Sequence, residues 1–148
     1  QVIVTDRRLA RIVKCCQDLP GQMLFQFIDE NGERQAVTSN DVNAYIREAM
    51  GDEFTAKHFR TWAASVIAFA HILAAGEEGV SLKLLLDEVA NALGNTPAIA
   101  PKSYVHPALL DLAKSGRSLG DFRLPRATRY LSPQERGLLT FLNGCGPG

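Results

Sequence analysis

The longest apolar run in this sequence, Trp62–Ala70, is broken only by Ser65 and followed at once by His71. A bilayer span takes about 20 apolar residues, so a run this short belongs in a protein core. Apolar positions continue from Phe59 to Leu73, between Thr55 and Gly76, a length that suits a helix and not a strand. A second stripe follows Ser81: Leu82, Leu85, Leu86, Val89 and Leu93 recur at helical spacing and stop at Gly94. Two apolar helices of this kind set the expected class, a mainly α-helical multi-helix domain.

The flanking segments fit that class. Asp6 suits an N-cap ahead of Leu9, Ile12 and Val13, and Leu19-Pro20-Gly21 should end that helix. Gln1–Thr5, β-branched and apolar, reads as the end of a strand, which gives a small β remnant at the N-terminus and suggests an N-terminal truncation. Leu24–Ile28 is a candidate short strand turning at Asn31-Gly32, the alternative being that Phe25 and Phe27 are simply core. Thr38 or Ser39 caps a helix carrying Val42, Tyr45, Ile46 and Met50, stopped by Gly51. Pro107 suits the first turn of a helix over Ala108–Lys114. Beyond Gly116 the chain turns polar and basic, until Ser132-Pro133-Gln134-Glu135 opens a last helix with Leu138, Leu139 and Phe141. The tail Asn143–Gly148 is expected to fray. The expected organisation is therefore residues 1–116 as one part and 117–148 as a basic C-terminal extension.

Three cysteines, Cys15, Cys16 and Cys145, do not make a disulfide framework: two are adjacent and the count is odd. No CxxC or HExxH spacing occurs, so no metal site is expected. Sixteen basic and sixteen acidic residues give a formal net charge of zero. Dedicated nucleic-acid binders are usually basic, but here the charges are uneven. Arg7, Arg8, Arg11 and Lys14 form one cluster; Lys114, Arg117, Arg123, Arg126, Arg129 and Arg136 form another. The first cluster reads more simply as a solvated helix face.

Three segments carry chemistry when read together: Phe54-Thr-Ala-Lys57-His-Phe-Arg60-Thr-Trp62, Leu93-Gly-Asn95-Thr-Pro97 and Lys102-Ser103-Tyr104-Val-His106-Pro107. An arginine at a helix start, a polar residue after Leu-Gly, then a tyrosine nine residues on, resembles the C-terminal half of the catalytic domain of type IB DNA topoisomerases. The order is also similar to that of the tyrosine recombinases. The Lys-x-Phe-Arg-Thr-Trp and Lys-Ser-Tyr-Val-His-Pro wording looks closer to the bacterial, poxvirus-like topoisomerases. The resemblance covers roughly Gln1 to Leu110.

It implies a type IB activity. By this resemblance Tyr104 would be the nucleophile that displaces the 5′ oxygen of a phosphodiester and leaves a 3′-phosphotyrosyl link. That link conserves the bond energy, so resealing needs no ATP. The transition state gathers negative charge on its non-bridging oxygens, which a fixed guanidinium and a second donor would stabilise. Arg60 and Asn95 fill these roles by resemblance; many relatives carry histidine at the second, and an amide can donate a hydrogen bond there but not exchange a proton. Lys57 lies one helical turn from Arg60, on the same face, and with Lys102 and Ser103 is a candidate DNA contact. The family's general-acid lysine and a second arginine should by order precede Gln1. Losing a general acid typically costs about 10²–10⁴ in rate, so the chain alone is expected to have little or no activity. Duplex DNA is the expected partner, with no metal, no small-molecule cofactor and no membrane. A monomer in the cytoplasm, associated with the nucleoid, is expected.

Each residue also has a plainer reading. Tyr104 could be a half-buried aromatic at a helix start, Arg60 a surface cation despite the unfavourable helix dipole, and Asn95 a loop residue after Gly94. His106 is better placed for a structural hydrogen bond than for catalysis, and His71 for the core or a helix end. Two alternatives stand beside the topoisomerase. One is a tyrosine recombinase, against which Lys57 counts, because recombinases typically show histidine three residues before the arginine. The other is a non-catalytic helical DNA-binding or interaction module, which the zero net charge favours.

Overall fold

A computed structural model describes residues 5–17, 21, 23–94 and 103–144. Among these, six α-helices and one two-stranded antiparallel sheet make the protein mainly α-helical with a small β element, as expected. The chain divides into two compact units at Ala56 and Lys57.

The first unit contains α1 (Arg7–Cys16), β1 (Gln26–Ile28), β2 (Arg34–Ala36) and α2 (Ser39–Met50). Asp6 caps α1 by accepting the N–H groups of Arg8 and Leu9 at 2.7 and 2.9 Å, which relieves two of the orphan donors of a helix start. The expected strand turns as anticipated: Gly32 takes φ +82°, and Asp29 Oδ1 accepts from the N–H groups of Asn31 and Glu33. Its partner β2, Arg34-Gln35-Ala36, has no β-forming character and is set by that turn and by the register Gln26↔Ala36. Of the two candidate caps for α2, Thr38 is the one used. It makes a reciprocal capping box with Asp41, whose carboxyl Thr38 holds below its ordinary range through its hydroxyl and its N–H. No described residue of this unit is buried, and Phe25, Phe27, Ile28 and Tyr45 are exposed. The possible strand over Gln1–Thr5 and the helix stop at Leu19-Pro20 fall almost wholly outside the described residues.

The core lies in the second unit. It holds most of α3 (Ala56–Ala74), with α4 (Leu82–Ala92), α5 (Pro107–Ser115) and α6 (Pro133–Gly144). α3 turns Ala64, Ser65, Ala68, Phe69 and Ile72 inward, the i, i+4, i+8 repeat of a helix buried along one face. Leu85, Leu86 and Val89 of α4, Leu109 and Ala113 of α5 and Leu138 of α6 complete the core. Both apolar stripes read from the sequence are thus core elements. α5 begins one residue earlier than expected, at Pro107, with His106 as its cap, and ends on Gly116 in the left-handed conformation at φ +63°. α6 runs through Gly144, further than the expected fraying allowed.

Residues 117–144 pack onto the face of α3. Phe69 meets Phe122 edge-to-face, ring centroids 5.5 Å apart at 83°, and Phe141 at 6.0 Å, arrangements favoured by the ring quadrupoles. Gly137 is buried in the same place: a Cβ there would lie 2.6 Å from Leu124 Cδ2 and 2.9 Å from Phe69 Cε1. The absent side chain is what lets α6 approach the Phe69 ring so closely.

Candidate active site

Arg60 and Tyr104, separated by more than forty residues of sequence, meet in the folded unit. The Arg60 guanidinium carbon stands 6.0 Å from the centre of the Tyr104 ring, at the outer reach of a cation–π contact. Tyr104 is half-buried and rests on the hydrophobic core, whereas Arg60 is exposed on the second turn of α3. A phenol on an apolar bed with a cation beside it is an arrangement that would accommodate an anion at the tyrosine oxygen.

One bond ties the tyrosine segment to α3, and a second holds α3 from its other side. Ser65 is 3% exposed, and a buried hydroxyl needs partners. Its Oγ donates to the Thr61 carbonyl at 2.9 Å and accepts the His106 N–H at 3.0 Å. The second of these ties the tyrosine segment to the arginine helix two residues beyond Tyr104. Val105, 4% exposed, anchors the same segment in the core. His106 is exposed, and its Nδ1 accepts the Ala108 N–H at 3.2 Å to cap α5, a structural hydrogen bond of the kind its sequence context suggested.

From the other side, Trp62 Nε1–H donates to Glu135 Oε1 at 3.2 Å. The second oxygen of Glu135 accepts the N–H and hydroxyl of Ser132, both at 2.8 Å, in a capping box for α6. The Ser132 N–H and hydroxyl, with a smaller part from Trp62, hold the Glu135 carboxyl below the ordinary carboxylate range. α3 is therefore pinned at Trp62 and at Ser65, on either side of the turn that follows Arg60. Neither link was read from the sequence. The signal for Ser65 was nonetheless present, since a lone hydroxyl inside an apolar run must find a partner once buried.

The remaining candidates are placed unevenly. Lys57 and Ser103 are exposed, Lys57 one turn before Arg60 and Ser103 beside Tyr104. Asn95 and Lys102 lie outside the described residues. His71 sits half-buried in the last turn of α3, its carbonyl accepting the Ala75 N–H.

Comparison with known proteins bears on the same residues. Residues 1–115 match the family described as eukaryotic DNA topoisomerase I, catalytic core. The chain is also similar to a protein of Acanthamoeba polyphaga mimivirus named DNA topoisomerase 1B, at 35% identity over 113 residues. That match covers 68% of this chain and 34% of the relative, so the chain aligns with about a third of the relative's length.

Proposed function

The chain belongs to the DNA topoisomerase I catalytic-core family, and from that premise we propose that it is the tyrosine-bearing part of a type IB enzyme that relaxes supercoiled duplex DNA. The observation that carries the proposal is the convergence of Arg60 on Tyr104 within the matched residues.

In this reading the Tyr104 oxygen attacks a backbone phosphorus and forms the P–O bond of a 3′-phosphotyrosyl link. The 5′ oxygen leaves and takes up a proton, the broken strand rotates, and the 5′ hydroxyl then attacks the link to reseal the strand. No bond energy is lost, so no nucleotide is consumed. Arg60 stabilises the charge on the non-bridging oxygens, and Asn95 is the second donor. Lys57, Lys102 and Ser103 contact the DNA backbone beside them. Residues 1–116 form the catalytic part and 117–148 an extension. No lysine of this chain is assigned as the general acid for the leaving oxygen, so relaxation by the chain alone is expected to be lower by about 10²–10⁴ than that of an enzyme carrying one. The protein would act as a monomer, without metal or other cofactor, on the nucleoid in a bacterial cytoplasm.

The test is relaxation of a supercoiled plasmid in EDTA by the enzyme that contains this chain, with denaturant added to trap the covalent protein–DNA adduct. Tyr104→Phe should abolish the adduct while leaving duplex binding in place. An adduct that survives this substitution refutes the nucleophile. Robust relaxation by the isolated chain refutes the view that its catalytic set is partial. Site-specific strand exchange instead of relaxation would make it a recombinase, and duplex binding with no adduct in the wild type would make it a non-catalytic binding module.

A further inference from the structure

We propose that residues 117–144, outside the family match, hold a second duplex-DNA contact: a braced arginine loop centred on Arg126, Arg129 and Arg136. The proposal rests on the reading of the chain as acting on duplex DNA.

Charge is the first observation. This segment carries five arginines against two acids, Asp121 and Glu135, in a chain whose net charge is zero. Glu135 already accepts from Trp62 and Ser132. Among the described residues none of the five arginines pairs with a carboxylate; the ion pair found there joins Lys114 to Asp111. Positive charge gathered on one segment and left unneutralised by the fold suits an external polyanion.

Order is the second. Arg136, in the first turn of α6, donates from Nη1 to the Arg126 carbonyl at 2.5 Å, which draws the loop against the helix. Two residues beyond Arg126, Thr128 N–H donates to the Leu131 carbonyl at 2.9 Å, and Leu131 N–H donates to Thr128 Oγ1 at 3.1 Å. Arg129 and Tyr130 form the tip of that locked turn, with the guanidinium carbon 5.3 Å from the ring centre and Tyr130 80% exposed. Ordering of this kind before binding lowers the entropy that a phosphate contact would cost.

The experiment measures binding of this chain to a short fluorescent duplex by anisotropy across a range of NaCl concentrations. The slope of log Kobs against log salt falls by about 0.9 for each phosphate contact removed. Arg126→Ala with Arg129→Ala should therefore lower it by about 1.8, so that a fourfold rise in salt costs the wild type about tenfold more affinity than the variant. Both side chains are exposed, and an unchanged thermal midpoint confirms the fold of the variant. An unchanged slope in a folded variant, while the wild type binds duplex, overturns this proposal and leaves the catalytic reading intact. Lys57→Ala serves as the comparison, because its loss of slope reports the catalytic face. Failure of the wild type to bind duplex at all overturns this proposal, while trapping of the adduct in the larger enzyme still decides the catalytic one.

Discussion

Replacing Ser65 by alanine isolates the bond that ties the tyrosine segment to the arginine helix. The substitution removes one acceptor from a position only 3% exposed and strands the His106 N–H, which now donates to it at 3.0 Å. The bond is part-buried, and a donor left without a partner there costs up to about 3 kcal/mol. The Thr61 carbonyl loses the hydroxyl's bond as well, but as a mid-helix carbonyl it keeps its backbone partner. Alanine recovers a few tenths of a kcal/mol as the better helix former. The net expectation is a loss of about 0.5–2.5 kcal/mol from the second unit. Trp62 is the single tryptophan and lies on the same helix, so its fluorescence during urea unfolding reports this unit. The midpoint should fall with the slope m unchanged. A loss below about 0.5 kcal/mol would show that the bond does not hold the segment. In the enzyme that contains this chain, the same variant should slow adduct formation more than it weakens duplex binding, since Ser65 touches no DNA in the proposed reading.

Two further substitutions probe the packing of residues 117–144. Gly137→Ala sets helix propensity, which favours alanine by about 1 kcal/mol, against a Cβ forced to within 2.9 Å of the buried Phe69 ring and 2.6 Å of Leu124 Cδ2. Overpacking costs about 1–3 kcal/mol, so urea unfolding should show net destabilisation, and a more stable variant would refute the close approach. Glu135→Gln tests a proton linkage. The native carboxyl is held below its ordinary value of 4.5, chiefly by the Ser132 N–H, so it contributes stability above that pH and loses it as pH falls through the lowered value. The wild type should therefore lose stability more steeply than the variant as pH falls from about 5 towards 3, and parallel pH profiles would rule out the linkage.

The sequence made the helices legible because each signal was local. Asp6, Ser81 and Pro107 stand where caps and first turns require them, and the stripes of α3 and α4 each face one core. β2 could not be read, because Arg34-Gln35-Ala36 acquires its strand geometry from the turn before it and not from its own side chains. For the site, residue order pointed to Arg60 and Tyr104, and the fold brings them together. The means of doing so stayed hidden. The Ser65–His106 and Trp62–Glu135 bonds join residues 41 and 73 positions apart, and no local pattern encodes a partner at that range.

The Trp62–Glu135 link has a kinetic consequence. Contacts between residues so distant in sequence carry a loop-closure cost before they return any stability, and they slow folding. On a ribosome adding about 5–20 residues each second, Tyr104 emerges seconds before α6 is complete. During that interval Arg60 and Tyr104 already exist as chain, while Glu135, Phe141 and the close approach of Gly137 do not. The nascent protein thus carries Arg60 and Tyr104 before it has the contacts that pin α3 at Trp62 and Phe69. Completion of the packing around α3 is timed by residues that the family match does not include.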